Sequence, residues 1–361
     1  VALSSALQEL FPAVKVSTIA FGQDFQPEKD SSSTIPGLYA LIVARLMAKV
    51  GSFFTQLMDR REWAAFRLTP RQLRMFSEQR LFVLIMAKKF ERILERAKPE
   101  SVWLEVFYRP EAMALVLACR RKGVPAFDCQ HGTHGPDHPM YTGWNPPVGT
   151  SLHLLPEYFW TWGELWSGKL SVWLARLTSS SAVSGGNLTL MSSIARASDE
   201  AEIRQPQVLV SLQGDALLPE FVIELIESKG SGLHWILRDH PRLPLSNELR
   251  LRLSRVPSVE FQHPNHHSLW QSLQRAKVHL TAFSTVAFEA QLAGTPTIFT
   301  DRQMLTFVET SEETGFYVAL SAADLEKLLT TLLNRSTPPQ RSYLSVDAPS
   351  AVSAYEKALR A

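Results

Sequence analysis

Residues 127–141 read FDCQHGTHGPDHPMY. Three histidines, Asp137 and two glycines directly follow an apolar, strand-like run. Imidazole changes charge near neutral pH, so such a turn suits proton transfer or anion contact. Gly132, next to His131, permits a tight turn and close approach of backbone to a ligand. His131, His134, His138 and Asp137 also carry metal-ligating atoms. Their spacing fits neither a His-Glu-x-x-His helix nor a zinc finger, and Gly135, Pro136 and Pro139 oppose a helix there. No metal is expected.

Two further groups have chemical character. Arg238-Asp239-His240-Pro241-Arg242 follows a strand-like run, and arginine offers a fork of donors suited to phosphate. Ser284-Thr285 stands where a strand passes into a helix. A hydroxyl beside free N–H groups caps the helix and makes a phosphate site, two compatible readings. Glu289 lies one helical turn beyond Thr285, placed to reach a ribose hydroxyl or to support the helix. The carboxylates placed to do chemistry are Asp215 and Glu105, with Asp137 third. No GxxxxGK[ST], GxGxxG or GxSxG stands in the chain, which argues against a P-loop ATPase, an ordinary dinucleotide enzyme and an α/β-hydrolase.

The elements that must position these residues alternate. SVWLEVFY (101–108) reads as a strand, EAMALVLACRRKG as a helix stopped by Gly123, and VPAFDCQ as a second strand. Strand, helix, strand in about thirty residues is a βαβ unit with a parallel sheet. The alternation returns in QVLVSLQG, LLPEFVIELIESKG, LHWILRDHP, VEFQHP, NHHSLWQSLQRA, KVHLTAFS, TVAFEAQLAG, TPTIFT and ADLEKLLTTLLNR. In open α/β sheets ligands bind outside the carboxyl ends of strands. Polar residues gather there in both halves, which predicts a cleft between two Rossmann-like domains.

The chain's 361 residues exceed what one core usually supports. The expected organisation is a Rossmann-like domain over 1–176, a Ser/Gly-rich linker over 177–205 with room for one short helix, a second Rossmann-like domain over 206–340, and a segment 341–361 packing back on the first domain. With 37 basic and 35 acidic residues the net charge is +2, giving no support for a nucleic-acid partner. Cys119 and Cys129 make no disulfide framework and read as small buried hydrophobes in a reducing cytoplasm. Residues 35–58 form the longest apolar stretch. Arg45 and Lys49 interrupt it, so a buried or amphipathic helix is expected rather than a span, with peripheral contact to the inner face of the inner membrane as the lesser alternative. The tryptophans at 160, 162, 166 and 173 read as core. The chain starts at Val1, and neighbouring domains of a larger enzyme stay open as partners.

Gln130-His131-Gly132 after a strand, His240-Pro241 after a second-half strand, and Ser284-Thr-x-x-x-Glu289-Ala closing in Gly294-x-Pro296 resemble the GT-B glycosyltransferases of bacterial capsule and lipopolysaccharide synthesis. The resemblance covers about residues 100–300 and is closest to CMP-Kdo-dependent Kdo transferases. Bacterial sialyltransferases are less close, since their acidic Asp/Glu-Asp/Glu-Gly motif is missing. The resemblance implies an α/β GT-B fold and a CMP-sugar donor substrate with no cofactor or metal. It implies a glycan or glycolipid acceptor. It places His240 on the phosphate or cytidine, Ser284 and Thr285 on the phosphate, Glu289 on the ribose, and His131 near the sugars. With it, Asp215 becomes the expected nucleophile or base, and Gln130, Gly132, His134 and Asp137 the acceptor-side loop. Alternatives are a CDP-glycerol- or UDP-sugar-dependent enzyme on the same fold, or a non-catalytic carbohydrate-binding module.

Overall fold

The computed structural model describes residues 2–12, 43, 45–51, 68–133, 138, 140–143, 145–196, 205–229, 232–334, 339 and 342–360. The chain forms two compact units. The first comprises 1–188 with 348–361, the second 189–347.

In the first unit α1 (Ala2–Leu10) and the long α2 (Pro70–Ala97) precede β1 (Val102–Leu104), α3 (Pro110–Lys122), β2 (Ala126–Cys129), β3 (Tyr158–Thr161), α4 (Glu164–Leu174) and β4 (Ser181–Ser184); α11 (Ala348–Arg360) returns at the C-terminus. Local sequence sets several of these boundaries. Thr69-Pro70-Arg71-Gln72 starts α2 with a capping box: Thr69 N–H donates to Gln72 Oε1 at 2.9 Å, and Gln72 N–H donates to Thr69 Oγ1 at 3.3 Å. Pro110 opens α3, and Gly123 closes it at φ 66°.

The strands run β1-β2-β3-β4, all parallel. The register aligns Trp103, Phe127 and Tyr158 across three strands, with Trp103–Phe127 stacked at 4.5 Å and Phe127–Tyr158 at 4.8 Å. Helix α11 lies against this row: Tyr355 packs on Phe127, its hydroxyl meets Ser101 Oγ at 2.9 Å, and Tyr158 Oη donates to Ala358 O at 2.6 Å. A second set of apolar residues joins Phe82, Met86 and Phe90 of α2 to Leu115 of α3 and to Phe159. Both faces of the sheet are therefore buried, as parallel sheets require.

The second unit contains α5 (Leu188–Ala195), β5 (Gln205–Ser211), a 3₁₀ turn Asp215–Leu217, α6 (Glu220–Lys229), β6 (His234–Arg238), α7 (Asn247–Leu253), β7 (Val259–Gln262), α8 (Leu269–Arg275), β8 (Ala276–Thr281), α9 (Val286–Leu292), β9 (Thr297–Phe299), β10 (Phe316–Val318) and α10 (Ala322–Leu333). Its parallel sheet has the order β10-β9-β8-β5-β6-β7. The chain winds outward from β5 in one direction, then restarts at β8 and winds in the other. The ends of β5 and β8 thus form a topological switch point, where such sheets bind ligands.

Two expectations change. SVWLEVFY is not one strand: β1 stops at Leu104, and Val106 takes φ 86°. The segment 177–205, read as a linker with room for one short helix, holds such a helix at Leu188–Ala195 but also a strand, Ser181–Ser184, that pairs with β3 at the sheet edge. Composition misleads there, since the short residues of β4 sit only partly buried at the sheet edge. Of residues 35–58, those described at 45–51 form a helical segment, in keeping with the amphipathic helix expected there. Ala48 is buried against α2, while Leu46, Met47 and Val50 face outward.

Candidate functional site

In the first unit, chemistry collects beyond β1 and β2. Asp128, read from sequence as an ordinary strand residue, is 0% exposed. Its Oδ1 accepts from Val106 N–H at 3.1 Å and Phe107 N–H at 2.9 Å, and its Oδ2 accepts from Tyr141 Oη at 2.9 Å. Burial pushes its pKa up to about 7, with the Tyr141 and Phe107 hydrogen bonds pulling downward and Glu105's charge adding to the rise. A β-branched residue at positive φ, such as Val106, costs about 1–3 kcal/mol and needs its surroundings to hold it.

Glu105 and His131 are exposed here, and Glu105's charge favours the imidazolium of His131. Desolvation nevertheless holds the His131 pKa below its usual value. His138 is lowered too, by burial and by His131. Tyr108 lies between them, 6.4 Å from the His131 ring and 5.6 Å from that of His138. Gln130 is buried. Its Nε2 donates to Gly132 O at 2.9 Å and its Oε1 accepts from Trp162 N–H at 2.9 Å, so this side chain braces the turn. His134 and Asp137 lie outside the described residues.

In the second unit, Gly214 follows β5 at φ 88°, a conformation that glycine adopts without strain. The turn after it carries Asp215, which is exposed and accepts from Ser246 N–H at 2.9 Å. That contact holds its carboxyl below the usual range, so Asp215 is ionised at neutral pH. Gln213 Oε1 accepts from Phe283 N–H at 3.1 Å, tying the β5 and β8 ends together. A small pocket at the same place is lined by Gln213, Leu217, Thr281, Ala282 and Thr300.

Arg238, read from sequence as a phosphate-binding fork, is 8% exposed. Its Nη2 donates to His267 O at 2.8 Å, whereas among the described residues nothing accepts from its buried Nη1. Glu289 is its nearby charge. Desolvation pushes the Glu289 carboxyl up to about 7, opposed by Arg238. Asp239 is occupied by an ion pair with Arg250. Ser284 Oγ accepts from Val286 N–H at 3.3 Å, while Thr285, the N-cap of α9, makes no side-chain cap bond.

The chain's three His-Pro dipeptides share one geometry. His138 Nδ1 accepts from Met140 N–H at 3.2 Å, His240 Nδ1 from Arg242 N–H at 3.1 Å, and His263 Nδ1 from Asn265 N–H at 3.2 Å. In each neutral ring the proton is therefore assigned to Nε2, making it a donor. The motif builds a turn with a fixed tautomer, which explains why His-Pro recurs in both units. Among the described residues no group of three or more His, Cys, Asp or Glu side chains is arranged for a metal ion.

No protein-family model and no curated sequence matches the chain. Solved structures do. The UDP-GlcNAc 2-epimerase from Neisseria meningitidis bound to UDP-GlcNAc aligns over 77% of this chain and 82% of its own, at 14% identity and a TM-score of 0.52. The UDP-GlcNAc 2-epimerase from Methanocaldococcus jannaschii covers 77% and 82%, at 14% identity and 0.51. A further UDP-N-acetylglucosamine 2-epimerase covers 88% of this chain and 93% of its own, at 13% identity and 0.51. At such identity the likeness establishes the fold alone: two Rossmann-like α/β units of the GT-B kind with parallel sheets.

Proposed function

We propose that this chain is a nucleotide-sugar-dependent enzyme whose second unit holds the nucleotide at its strand ends. The observation that carries the reading is the pair Arg238 and Glu289 beside the switch point. Among the described residues a buried guanidinium nitrogen has no acceptor, and a carboxyl near it is raised to about 7. Buried polar groups without partners are costly in a finished core and suit a site completed by a ligand. Glu289 would take the ribose, and His240 Nε2–H, Ser284 and Thr285 the phosphate.

The finer reading is transfer of Kdo from CMP-Kdo to a glycan or glycolipid of a bacterial surface polysaccharide, supported by the Gln-His-Gly, His-Pro and Ser-Thr motif set. A sugar leaving its nucleotide develops oxocarbenium character and needs a base or carboxylate nucleophile. Asp215, ionised and exposed, suits that role, and Glu105 with His131 offers a second acid–base pair. The second reading is a UDP-sugar enzyme, favoured by the UDP-GlcNAc epimerases that share the fold. A thermal-shift panel of CMP, CDP, UMP and UDP tests both, because a ligand binding only the native state raises its apparent stability. Stabilisation by CMP above the others supports the CMP-sugar reading, and stabilisation by UDP supports the second. No response to any nucleotide would sink both.

A further inference from the structure

We propose that Asp128 is a positioning residue: its buried carboxyl clasps two successive N–H groups of the β1–α3 turn, holds Val106 in its left-handed conformation, and thereby sets Glu105 beside His131. The inference rests on the reading of this strand-end face as a site of chemistry.

The geometry is specific. One oxygen, Oδ1, takes both Val106 N–H and Phe107 N–H, at 3.1 and 2.9 Å, and the other takes the Tyr141 hydroxyl at 2.9 Å. Tyr141 and Phe107 are themselves buried and pack edge to face at 5.4 Å. The clasp is thus anchored on the apolar core of the unit. Val106 is one of two non-glycine residues at positive φ among those described, and the other, Lys98, ends a helix in an ordinary left-handed cap. No helix cap explains Val106. Bending the chain at Val106 ends β1 after Leu104 and leaves Glu105 exposed at the sheet end. The charged or titratable groups that face Asp128 are Glu105, Tyr141 and Cys129. Oδ1 can accept both N–H bonds whether or not Oδ2 is protonated, so the clasp survives near neutral pH, where the carboxyl titrates. Asp128 itself does not reach solvent, so it acts through Glu105 rather than on a substrate.

The test uses the full chain as wild type, Asp128→Ala, Val106→Gly and the double variant. Amide hydrogen exchange of residues 104–109 reads the turn directly. Asp128→Ala is expected to lower protection of Val106 and Phe107 by about tenfold or more, the loss appropriate to hydrogen bonds with a charged acceptor. Glycine accepts positive φ without strain. Val106→Gly supplies no acceptor, so in the Asp128→Ala background it should leave the protection low while restoring part of the turnover. Turnover of the nucleotide sugar that the panel selects should fall in Asp128→Ala through kcat, with nucleotide affinity unchanged. Should Asp128→Ala fail to fold, Asp128→Asn keeps an acceptor oxygen and should show intermediate protection. Unchanged protection in the Asp128 variants overturns the clasp. Loss of turnover that Val106→Gly leaves wholly unrestored also overturns it, by making Asp128 directly catalytic. Absence of any nucleotide binding counts against the functional reading alone, and the exchange data then decide the clasp.

Discussion

Tyr141 Oη donates to Asp128 Oδ2 at 2.9 Å, and both side chains are fully buried. Removing the donor should leave a buried carboxyl oxygen unsatisfied and raise the Asp128 pKa further. Tyr141→Phe is expected to lose about 1–3 kcal/mol of stability. Urea unfolding at pH 7.5 measures it, and a midpoint equal to wild type would remove this bond from the list of stabilising contacts.

His279 is buried between the hydroxyls of Ser211, at 2.9 Å from Nε2, and Thr297, at 3.0 Å from Nδ1. Burial drives its pKa down to about 3, so the folded state keeps it neutral. Its contribution is present above the unfolded histidine pKa of about 6.5 and is lost as pH falls toward 3. Asp128 and Glu289, both raised to about 7, act oppositely: their contribution is present at low pH and lost as pH climbs to 7. His279→Gln isolates the first effect. Relative to that variant, wild type should lose about 1.4 kcal/mol per pH unit below 6.5. Parallel stability curves from pH 7 to 5 would refute it.

Glu289→Gln should weaken nucleotide binding by about tenfold or more, given the worth of a hydrogen bond to a charged group. Asp215→Asn should leave nucleotide affinity intact and abolish transfer, because the Asp215 carboxylate is exposed, accepts from Ser246 and is ionised at neutral pH. Calorimetry with CMP and UDP reads the first and product formation the second. Full transfer by Asp215→Asn would exclude it from the chemistry.

Gly185 lies under the Trp160 ring, where an added Cβ would come within 1.9 Å of a ring carbon. Trp160 cannot yield easily, since its Nε1 donates to Gly186 O at 2.9 Å and the ring is buried. Gly185→Ala should cost at least the 1–3 kcal/mol typical of overpacking, roughly. A melting temperature matching wild type would show that the ring has room.

Burial pushes the Cys119 thiol up to about 12 and raises Cys129 as well. Neither should react with a disulfide reagent at pH 8 until the chain unfolds, because the thiolate is the reactive form. Rapid labelling of the native protein would contradict the buried placement.

The sequence by itself determined the alternation of elements. Continuous apolar runs such as VLV in β5 and WIL in β6 mark strands covered on both faces, and Gly123 and Thr69-Pro70 mark helix ends through local backbone chemistry. Position after strands singled out Glu105, His131, Asp215, His240 and Ser284 as candidates, and helical spacing from Thr285 added Glu289. Local pattern could not reveal β4, whose short polar residues become a strand only by pairing with β3. Nor could it reveal Asp128, whose partners lie 21 and 13 residues away in sequence. Arg238 shows the same limit: the motif suggests a phosphate fork, and only the packed chain shows that the guanidinium is buried with one nitrogen on His267 O. Periodicity and caps are encoded within a few residues. Desolvation, and which donor meets which acceptor, depend on segments brought together only when the sheet and its helices close.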